Sequence, residues 1–111
     1  MKNSAARINR NLLTLIAGSF LLAAPVFGQG GASLFKSHCA ACHGADGSGN
    51  TAIGRSMHMR ALGSADVQKM SDKELTATIS DGKGAMPSYK DKLSGSDIKD
   101  LVGYIRELGK K

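Results

Sequence analysis

The chain has few aromatic residues: no tryptophan, three phenylalanines and two tyrosines among 111 residues. Because no aromatic side chains interleave with its basic residues, an aromatic-and-basic nucleic-acid interface is excluded. So short a chain buries a modest core by itself and often needs a further stabilising element. Glycine, in contrast, occurs 14 times, which suits close approach of the backbone to a flat ligand. The composition predicts one small domain that needs a stabilising element beyond its own core.

The sequence also lacks an alternating strand pattern, an internal repeat and an interdomain linker. Apolar residues recur at helical spacing instead, which predicts an all-α fold. The expected helices begin at cap residues or end at glycine, and they cover residues 31–42, 71–81 and 94–108, with a short turn over 64–69. Residues 51–63 have no clear period and are expected to form a loop along one edge of the ligand.

The only two cysteines lie within one motif, Cys39-Ala40-Ala41-Cys42-His43. This Cys-x-x-Cys-His pattern is typical of covalent attachment of a c-type haem. Two thiols three positions apart on a helical turn can each form a thioether with one vinyl group, and the imidazole that follows then reaches the iron. The motif therefore predicts one covalent haem c, held by Cys39 and Cys42, with His43 as an iron ligand.

Two other kinds of site use similar residues. A dithiol oxidoreductase also contains Cys-x-x-Cys, but it usually follows a strand in a βαβ unit, and no such unit is indicated here. A structural zinc site needs two further ligands, for which His38 and His43 are the nearest candidates. Ligands so close in sequence fit poorly around one tetrahedral ion, so both alternatives rank below haem.

Residues 1–28 have the features of a secretory signal peptide. The basic residues Lys2, Arg7 and Arg10 precede a mostly apolar stretch over residues 12–24. Cleavage is expected after Gly28, with Ala24 as a second site, leaving a domain over residues 29–111. The alternative is an uncleaved membrane anchor, although the stretch is shorter than the roughly 18 to 20 residues that a span requires. Export predicts a periplasmic location, which fits thiols that receive haem outside the cytoplasm.

The charge of the chain comes largely from this leader. The whole sequence has 15 basic and 9 acidic residues, a net charge of +6. Because the leader contains three basic residues and no acidic one, the remainder has 12 basic and 9 acidic residues, or +3. Two haem propionates would lower this to about +1. The basic balance therefore does not indicate a nucleic-acid partner.

Met86 is the predicted second axial ligand of the iron. It lies between Gly84 and Pro87, and the proline biases Met86 away from helical geometry. A thioether is a soft ligand that raises the reduction potential relative to a second imidazole. His58 is the main rival because it sits on the predicted loop. The remaining donors, which more commonly fill a core or face solvent, are Met57, Met59, Met70 and His38.

With these motifs in place, the chain resembles the class I c-type cytochromes, in their small monohaem bacterial group. The resemblance covers about residues 31–109, and its motifs are Cys39 to Gly44, Gly82 to Pro87, and Leu101 to Arg106. It implies a small all-α cytochrome c fold of three to five helices around one haem. It also implies that the first and last helices cross, with Gly31 and Phe35 meeting Tyr104.

The resemblance implies an electron carrier rather than an enzyme, with iron held by His43 and Met86 and no catalytic residue. Redox proteins are the expected partners of what should be a monomer. A weakly basic face for docking them is one interpretation of Lys36, Lys83, Lys90 and Lys92, and ordinary solvated lysines are the alternative. Many relatives have a proline whose carbonyl accepts a hydrogen bond from the proximal histidine, and the equivalent here is Ala52. A haem enzyme or sensor with an exchangeable sixth ligand is the second hypothesis.

Overall fold

The computed structural model describes residues 29–111, so the predicted signal peptide lies outside the described part. Within that part the chain folds into six helices without a strand, and an isolated bridge between Lys83 and Met86 is its only β feature. The helices are α1 (Gln29–His38), α2 (Ala40–His43), α3 (Ala52–Ser56), α4 (Ala65–Gln68), α5 (Asp72–Asp81) and α6 (Gly95–Leu108). The predicted all-α fold is confirmed. The helix number exceeds three to five because three of these segments have only four or five residues.

The helix starts lie where the cap residues predict them. The Ser71 hydroxyl accepts a hydrogen bond from the Glu74 amide at 3.1 Å, and the Glu74 carboxylate accepts one from the Ser71 amide at 2.7 Å. Ser94 and Asp97 make the same reciprocal pair at the start of α6. Each pair satisfies two amides that have no partner within the helix. Ser64 caps the short helix α4 in the same way.

The first predicted helix is interrupted at Cys39, which separates α1 from α2. The chain bends there because the amide of Cys42 donates to the Cys39 carbonyl, at 3.2 Å, rather than to the carbonyl of His38. Gly44 then ends α2 with a φ of +84°, a conformation that suits glycine. The two thiols and the imidazole are therefore carried on a separate, tightly wound turn.

The predicted loop over residues 51–63 is wrong in its first part, because α3 occupies Ala52–Ser56. Thr51 caps this helix by accepting from the Gly54 amide at 2.8 Å, and its hydroxyl donates to the Cys42 carbonyl at 2.6 Å. Gly54 is buried, and a methyl group there would collide with the carbonyl oxygen of Gly49. These tertiary contacts stabilise a segment too short to show a helical period.

The core lies where α1 packs against α6. Phe35 is only 2% exposed, and its ring centroid is 5.0 Å from that of Tyr104. A methyl group on Gly31 would collide with the Asp100 carbonyl oxygen of α6 and lie 3.1 Å from the β-carbon of Tyr104. The contact of Gly31 and Phe35 with Tyr104, implied by the resemblance, is thus present. The packing brings the haem-binding motif of α2 beside the apolar face of α6.

Two alanine substitutions at glycine should change stability in opposite directions. Gly31→Ala should lower the free energy of unfolding by about 1 to 3 kcal/mol, because it overpacks the contact between α1 and α6. Gly103→Ala should raise it by up to ~1 kcal/mol, because Gly103 lies inside α6 with no heavy atom near the added methyl group. Denaturant unfolding of both holoproteins measures the difference. Equal effects of the two substitutions would contradict the close packing at Gly31.

Candidate functional site

A cleft opens beside α2 and is made of two adjoining cavities of about 200 and 280 Å³. The first reaches into the core, where Leu75, Ile79, Leu101 and Ile105 line it. The second opens toward α3 and the segment after α5. The residues that line both cavities are Cys39, His43, Met59, Lys83 and Met86. The cleft is therefore mostly apolar, with one face formed by the Cys-x-x-Cys-His turn.

The four predicted site residues meet in this cleft. Cys39, Cys42, His43 and Met86 all line the second cavity, although more than 40 residues of sequence separate Met86 from the motif. Folding brings them together because α1 and α2 form one side of the cleft, and the segment between α5 and α6 forms the other. A flat group bound in the cleft would thus have the two thiols and the imidazole on one side and the Met86 thioether on the other.

The environment of the thiols opposes the dithiol oxidoreductase alternative. Burial, with a smaller contribution from the neighbouring Cys42, raises the pKa of the Cys39 thiol to about 11. Catalytic cysteines instead have a lowered pKa, which supplies the reactive thiolate. The zinc alternative also lacks support within residues 29–111, where no three His, Cys, Asp or Glu side chains cluster as a metal site would require.

His43 is a half-buried neutral imidazole. Burial lowers its pKa, which favours the unprotonated form that ligates a metal. Its Nδ1 atom is buried without a hydrogen-bond partner, so the structure contains no bond from this atom to the carbonyl of Ala52, the position equivalent to the proline of many relatives. The difference has a structural cause: Ala52 opens α3, and a helical carbonyl points along the helix axis rather than sideways to a neighbouring ring.

A tight turn holds Met86 at the cleft. The Lys83 amide donates to the Met86 carbonyl at 3.1 Å, and the Met86 amide donates to the Lys83 carbonyl at 3.0 Å. Gly84 has a φ of +58° within this turn. Gly82 has a φ of +77°, and a methyl group there would lie 2.6 Å from the Met86 carbonyl oxygen. The two glycines thus allow a compact turn that fixes the methionine backbone.

The other candidate ligands of the iron lie at different places relative to the cleft. His58 is exposed with a φ of +53° and lines neither cavity. Besides Met86, three methionines line one or both cavities; they are Met57, Met59 and Met70. Of these, Met57 is 50% exposed, whereas Met70 packs against the apolar core. His38 lines the second cavity at its outer edge and lies edge-on to Tyr89.

Tyr89 is a site residue that the sequence analysis did not single out. Its phenol lines the second cavity, and its hydroxyl donates to the His38 carbonyl at 2.9 Å. Burial raises the pKa of this hydroxyl, which therefore remains a proton donor at neutral pH. In the sequence, the one feature that could have indicated Tyr89 as a site residue was its position three residues after Met86. It could not have identified an acceptor 51 residues away.

The residues of the cleft fit a covalent haem. The first cavity has apolar walls for a porphyrin, and the turn of α2 presents two thiols and an imidazole to it. The charged side chains that line the two cavities are the cations Arg60 and Lys83, which suit a ligand with carboxylate groups. Soft sulfur and imidazole donors are also the usual ligands of haem iron.

Comparisons with known proteins agree with this fit. The family model described as "Cytochrome C oxidase, cbb3-type, subunit III" matches residues 28–105. Cytochrome c6 of a Picosynechococcus strain is 30% identical over 105 residues, which cover 86% of this chain and 87% of that protein. Cytochrome c6 of Synechocystis is 36% identical over 84 residues, covering 73% and 65% of the two chains.

A longer protein and a solved structure are also similar to this chain. The CcoP subunit of a cbb3-type cytochrome c oxidase from Azospirillum brasilense is 33% identical over 81 residues, which cover 71% of this chain but 28% of that subunit. The solved structure described as "KustC0563 c-type cytochrome" matches with a TM-score of 0.65 and 34% identity. That match covers 70% of this chain and 95% of the solved one.

Proposed function

The chain belongs to the class I c-type cytochromes, electron carriers with a covalent haem c, and we propose that it is a periplasmic member with His43 and Met86 as axial ligands. The observation that carries the proposal is the meeting of Cys39, Cys42, His43 and Met86 in one cleft. When bound, the haem supplies an iron that alternates between the ferrous and ferric states. The chain's own residues hold that group, set its ligands and restrict access to it.

Cys39 and Cys42 would hold the group through thioether bonds. Both are free thiols in the structure, and both line the cavity that opens toward α3. The turn that carries them is held in place by the Thr51 hydroxyl, which donates to the Cys42 carbonyl. His43 follows on the same turn and supplies a neutral imidazole. Attachment and ligation on one face thus come from a single rigid element.

Met86 would close the other face of the iron. The reciprocal backbone bonds between Lys83 and Met86 give this residue a fixed backbone, which favours a permanent rather than an occasional ligand. A thioether opposite an imidazole favours the ferrous state and thus a high reduction potential. With both axial positions taken by protein, small molecules are excluded, and one-electron transfer through the ring edge is favoured over substrate chemistry.

Mass and absorbance measurements on the purified protein test this proposal. The mass should exceed that of the polypeptide by one haem, and denaturation in acid and organic solvent should not release the group. The ferric spectrum should contain a weak band near the red end of the visible range, which reports a thioether–iron bond. Haem that extracts freely, or a spectrum without this band, would contradict the attachment or the Met86 ligation, respectively.

An exposed apolar patch beside the cleft suggests where redox partners bind. Among the described residues, Ile53 and Met57 are the exposed large apolar side chains, each 50% exposed, and they are four residues apart along α3 and its C-terminal cap. Both line the second cavity together with the exposed residues Ala85 and Pro87. An apolar patch at the mouth of a cofactor cleft is a typical surface for transient protein contact.

Positive charge beside this patch should steer anionic partners. Lys83 lines the cleft, and the Lys92 ammonium lies 5.6 Å from the centre of the Tyr89 ring, which also lines it. Lys36 and Lys90 are exposed, but no contact with the cleft places them in this face. The structure thus supports two of the four lysines as parts of a docking face.

Oxidation of the ferrous protein by hexacyanoferrate(III), an anionic probe, should slow as ionic strength rises. Lys92→Glu should lower the rate at low salt by roughly two- to tenfold, and the difference should shrink at high salt. Lys99→Glu is the matched control, because Lys99 is exposed on α6 and lies over no ring that lines a cavity, whereas Lys92 lies over Tyr89. Stopped-flow absorbance measures both rates. Equal slowing in the two variants would show that net charge, rather than a local face, controls the reaction.

The periplasmic location rests on the sequence of residues 1–28. In the described part, no helix combines the length and the apolar character needed to cross a membrane. We propose that the leader directs export and is removed after Gly28, with cleavage after Ala24 and retention as an anchor as the alternatives. N-terminal sequencing of the exported protein distinguishes the three, because the first residue would be Gln29, Pro25 or Met1.

A further inference from the structure

The segment between α5 and α6, which contains Met86, is held mainly by its own neighbours. The Tyr89 amide donates to the carbonyls of Ile79 and Ser80, at 3.1 and 3.2 Å. The Ser88 hydroxyl donates to the Ser80 carbonyl at 2.6 Å. These bonds join the segment to α5, and none of them joins it to the Cys-x-x-Cys-His turn. The packing of α1 and α5 against α6 holds the two sides of the cleft together, and the position of the segment itself depends on contacts across the cleft.

One hydrogen bond crosses the cleft. Among the described residues, the bond from the Tyr89 hydroxyl to the His38 carbonyl, at 2.9 Å, is the only one that joins segment 82–93 to residues 29–62. His38 is the last residue of α1, directly before Cys39. The bond therefore links the side of the cleft that carries the thiols to the side that carries Met86.

The acceptor is available because of the bend at Cys39. In a continuous helix the His38 carbonyl would accept from the Cys42 amide, but that amide donates to the Cys39 carbonyl instead. Helix ends leave such carbonyls in need of other partners. The Tyr89 hydroxyl satisfies this one. The bend that presents the thiols thus also creates the acceptor for the bond across the cleft.

We propose that the Tyr89 hydroxyl is a positioning group that keeps Met86 at the sixth coordination position of the iron. The inference rests on the proposed function, because it assumes that Met86 is the ligand. Tyr89 does not act on the iron; it holds the segment that carries Met86 against the end of α1. Without the hydroxyl, the segment should separate from the attachment turn more often, and an external ligand should compete better with the thioether.

Imidazole binding to the ferric holoprotein tests this inference. Removing one neutral hydrogen bond should make imidazole binding to Tyr89→Phe about two- to tenfold tighter than to the unsubstituted protein. Tyr104→Phe is the matched control, because its hydroxyl makes no hydrogen bond within residues 29–111 and it lines neither cavity. Phenylalanine keeps the ring contact with His38, so packing is preserved. Equal imidazole affinity of Tyr89→Phe and the unsubstituted protein would overturn the inference.

A double-mutant cycle with Met86→Ala separates positioning from shielding. If Tyr89 acts through Met86, the Tyr89→Phe substitution should have no effect on imidazole affinity once Met86 is replaced. An equal gain in both backgrounds would show that the hydroxyl disfavours bound imidazole directly and not through Met86, and the inference would be wrong. If the unsubstituted protein binds imidazole as tightly as Met86→Ala, Met86 is not the ligand. That result refutes the proposed ligation itself and is distinguishable from failure of Tyr89 alone.

A spectroscopic measurement excludes a general loss of structure. Tyr89→Phe should retain the weak red band of the thioether–iron bond in the absence of imidazole, because the equilibrium still favours Met86. The band should disappear at a lower imidazole concentration than in the unsubstituted protein and in Tyr104→Phe. If both tyrosine variants lose the band at the same lower concentration, the effect is not specific to the bond across the cleft, and the inference fails.

Discussion

Met86→Ala should convert an iron that is closed to small molecules into one that binds them. Imidazole affinity of the ferric protein should rise roughly 100-fold if the thioether occupies its position about 99% of the time, because apparent affinity scales with the open fraction. The ferrous protein should also gain carbon monoxide binding without denaturant. Titration followed by absorbance measures both ligands.

The reduction potential should fall in the same variant. A soft thioether stabilises the ferrous state, and its loss leaves water or another hard ligand in its place. Met86→His should keep the iron six-coordinate and still lower the potential, because an imidazole replaces the thioether. Potentiometric titration of the two variants therefore separates the type of ligand from the number of ligands.

The other methionines of the cleft provide the comparison. Met57 and Met59 also line the second cavity, so each could in principle supply a thioether. Met57→Ala and Met59→Ala should retain the red band and should not gain imidazole binding, because neither residue lies on a turn closed by reciprocal backbone bonds. An unchanged spectrum in Met86→Ala, with loss of the band in one of the other two, would move the ligand assignment to that residue.

Features that are set by residues close together in the sequence could be predicted. Cys39, Cys42 and His43 form a local motif whose chemistry follows from spacing, and Met86 stands out between a glycine and a proline. The fold class and the capped starts of α5 and α6 could also be predicted from short stretches of sequence. Each of these features is set by residues within a few positions of one another, and the structure contains the predicted helix caps.

Features that depend on distant residues were not predictable. The helix α3 depends on Thr51, whose hydroxyl contacts the Cys42 carbonyl, and no periodic pattern marks it. The bend at Cys39 frees the His38 carbonyl, and within residues 29–111 its donor is the Tyr89 hydroxyl. Whether the Ala52 carbonyl would bond to His43 was also open from the sequence, and it does not do so in the structure, where Ala52 is helical. In all three cases, a tertiary contact or a helix boundary decides where a backbone carbonyl points.

The second large effect concerns folding rather than ligation. The Cys39→Ala/Cys42→Ala double variant cannot attach haem, and it should lose most of the helical signal in far-ultraviolet circular dichroism at 25 °C. The reason lies in the core. Leu75, Ile79, Leu101 and Ile105 are buried, yet they also line the first cavity, so their side chains form the wall that a haem would cover.

Without haem those side chains border an unfilled cavity, although each is at most 6% exposed, and an unfilled cavity leaves its lining without packing partners. Apolar burial stabilises a fold by about 25 cal/mol per Å², and a domain of this size has only a few kcal/mol of net stability. Phe35 is the single fully buried aromatic side chain in the described part, so the protein has little else to compensate. The stabilisation that is lost with the haem should therefore exceed the net free energy of unfolding of the domain.

Single substitutions give a graded test of the same argument. Cys39→Ala and Cys42→Ala each leave one thiol, so each should hold haem through one thioether and keep much of the helical signal, with a lower melting temperature. Mass spectrometry reports attachment, and circular dichroism reports helix content on the same samples. A double variant that melts cooperatively with full helix content would show that α1, α5 and α6 form a stable core without the haem. Attachment would then be a step after folding rather than a part of it.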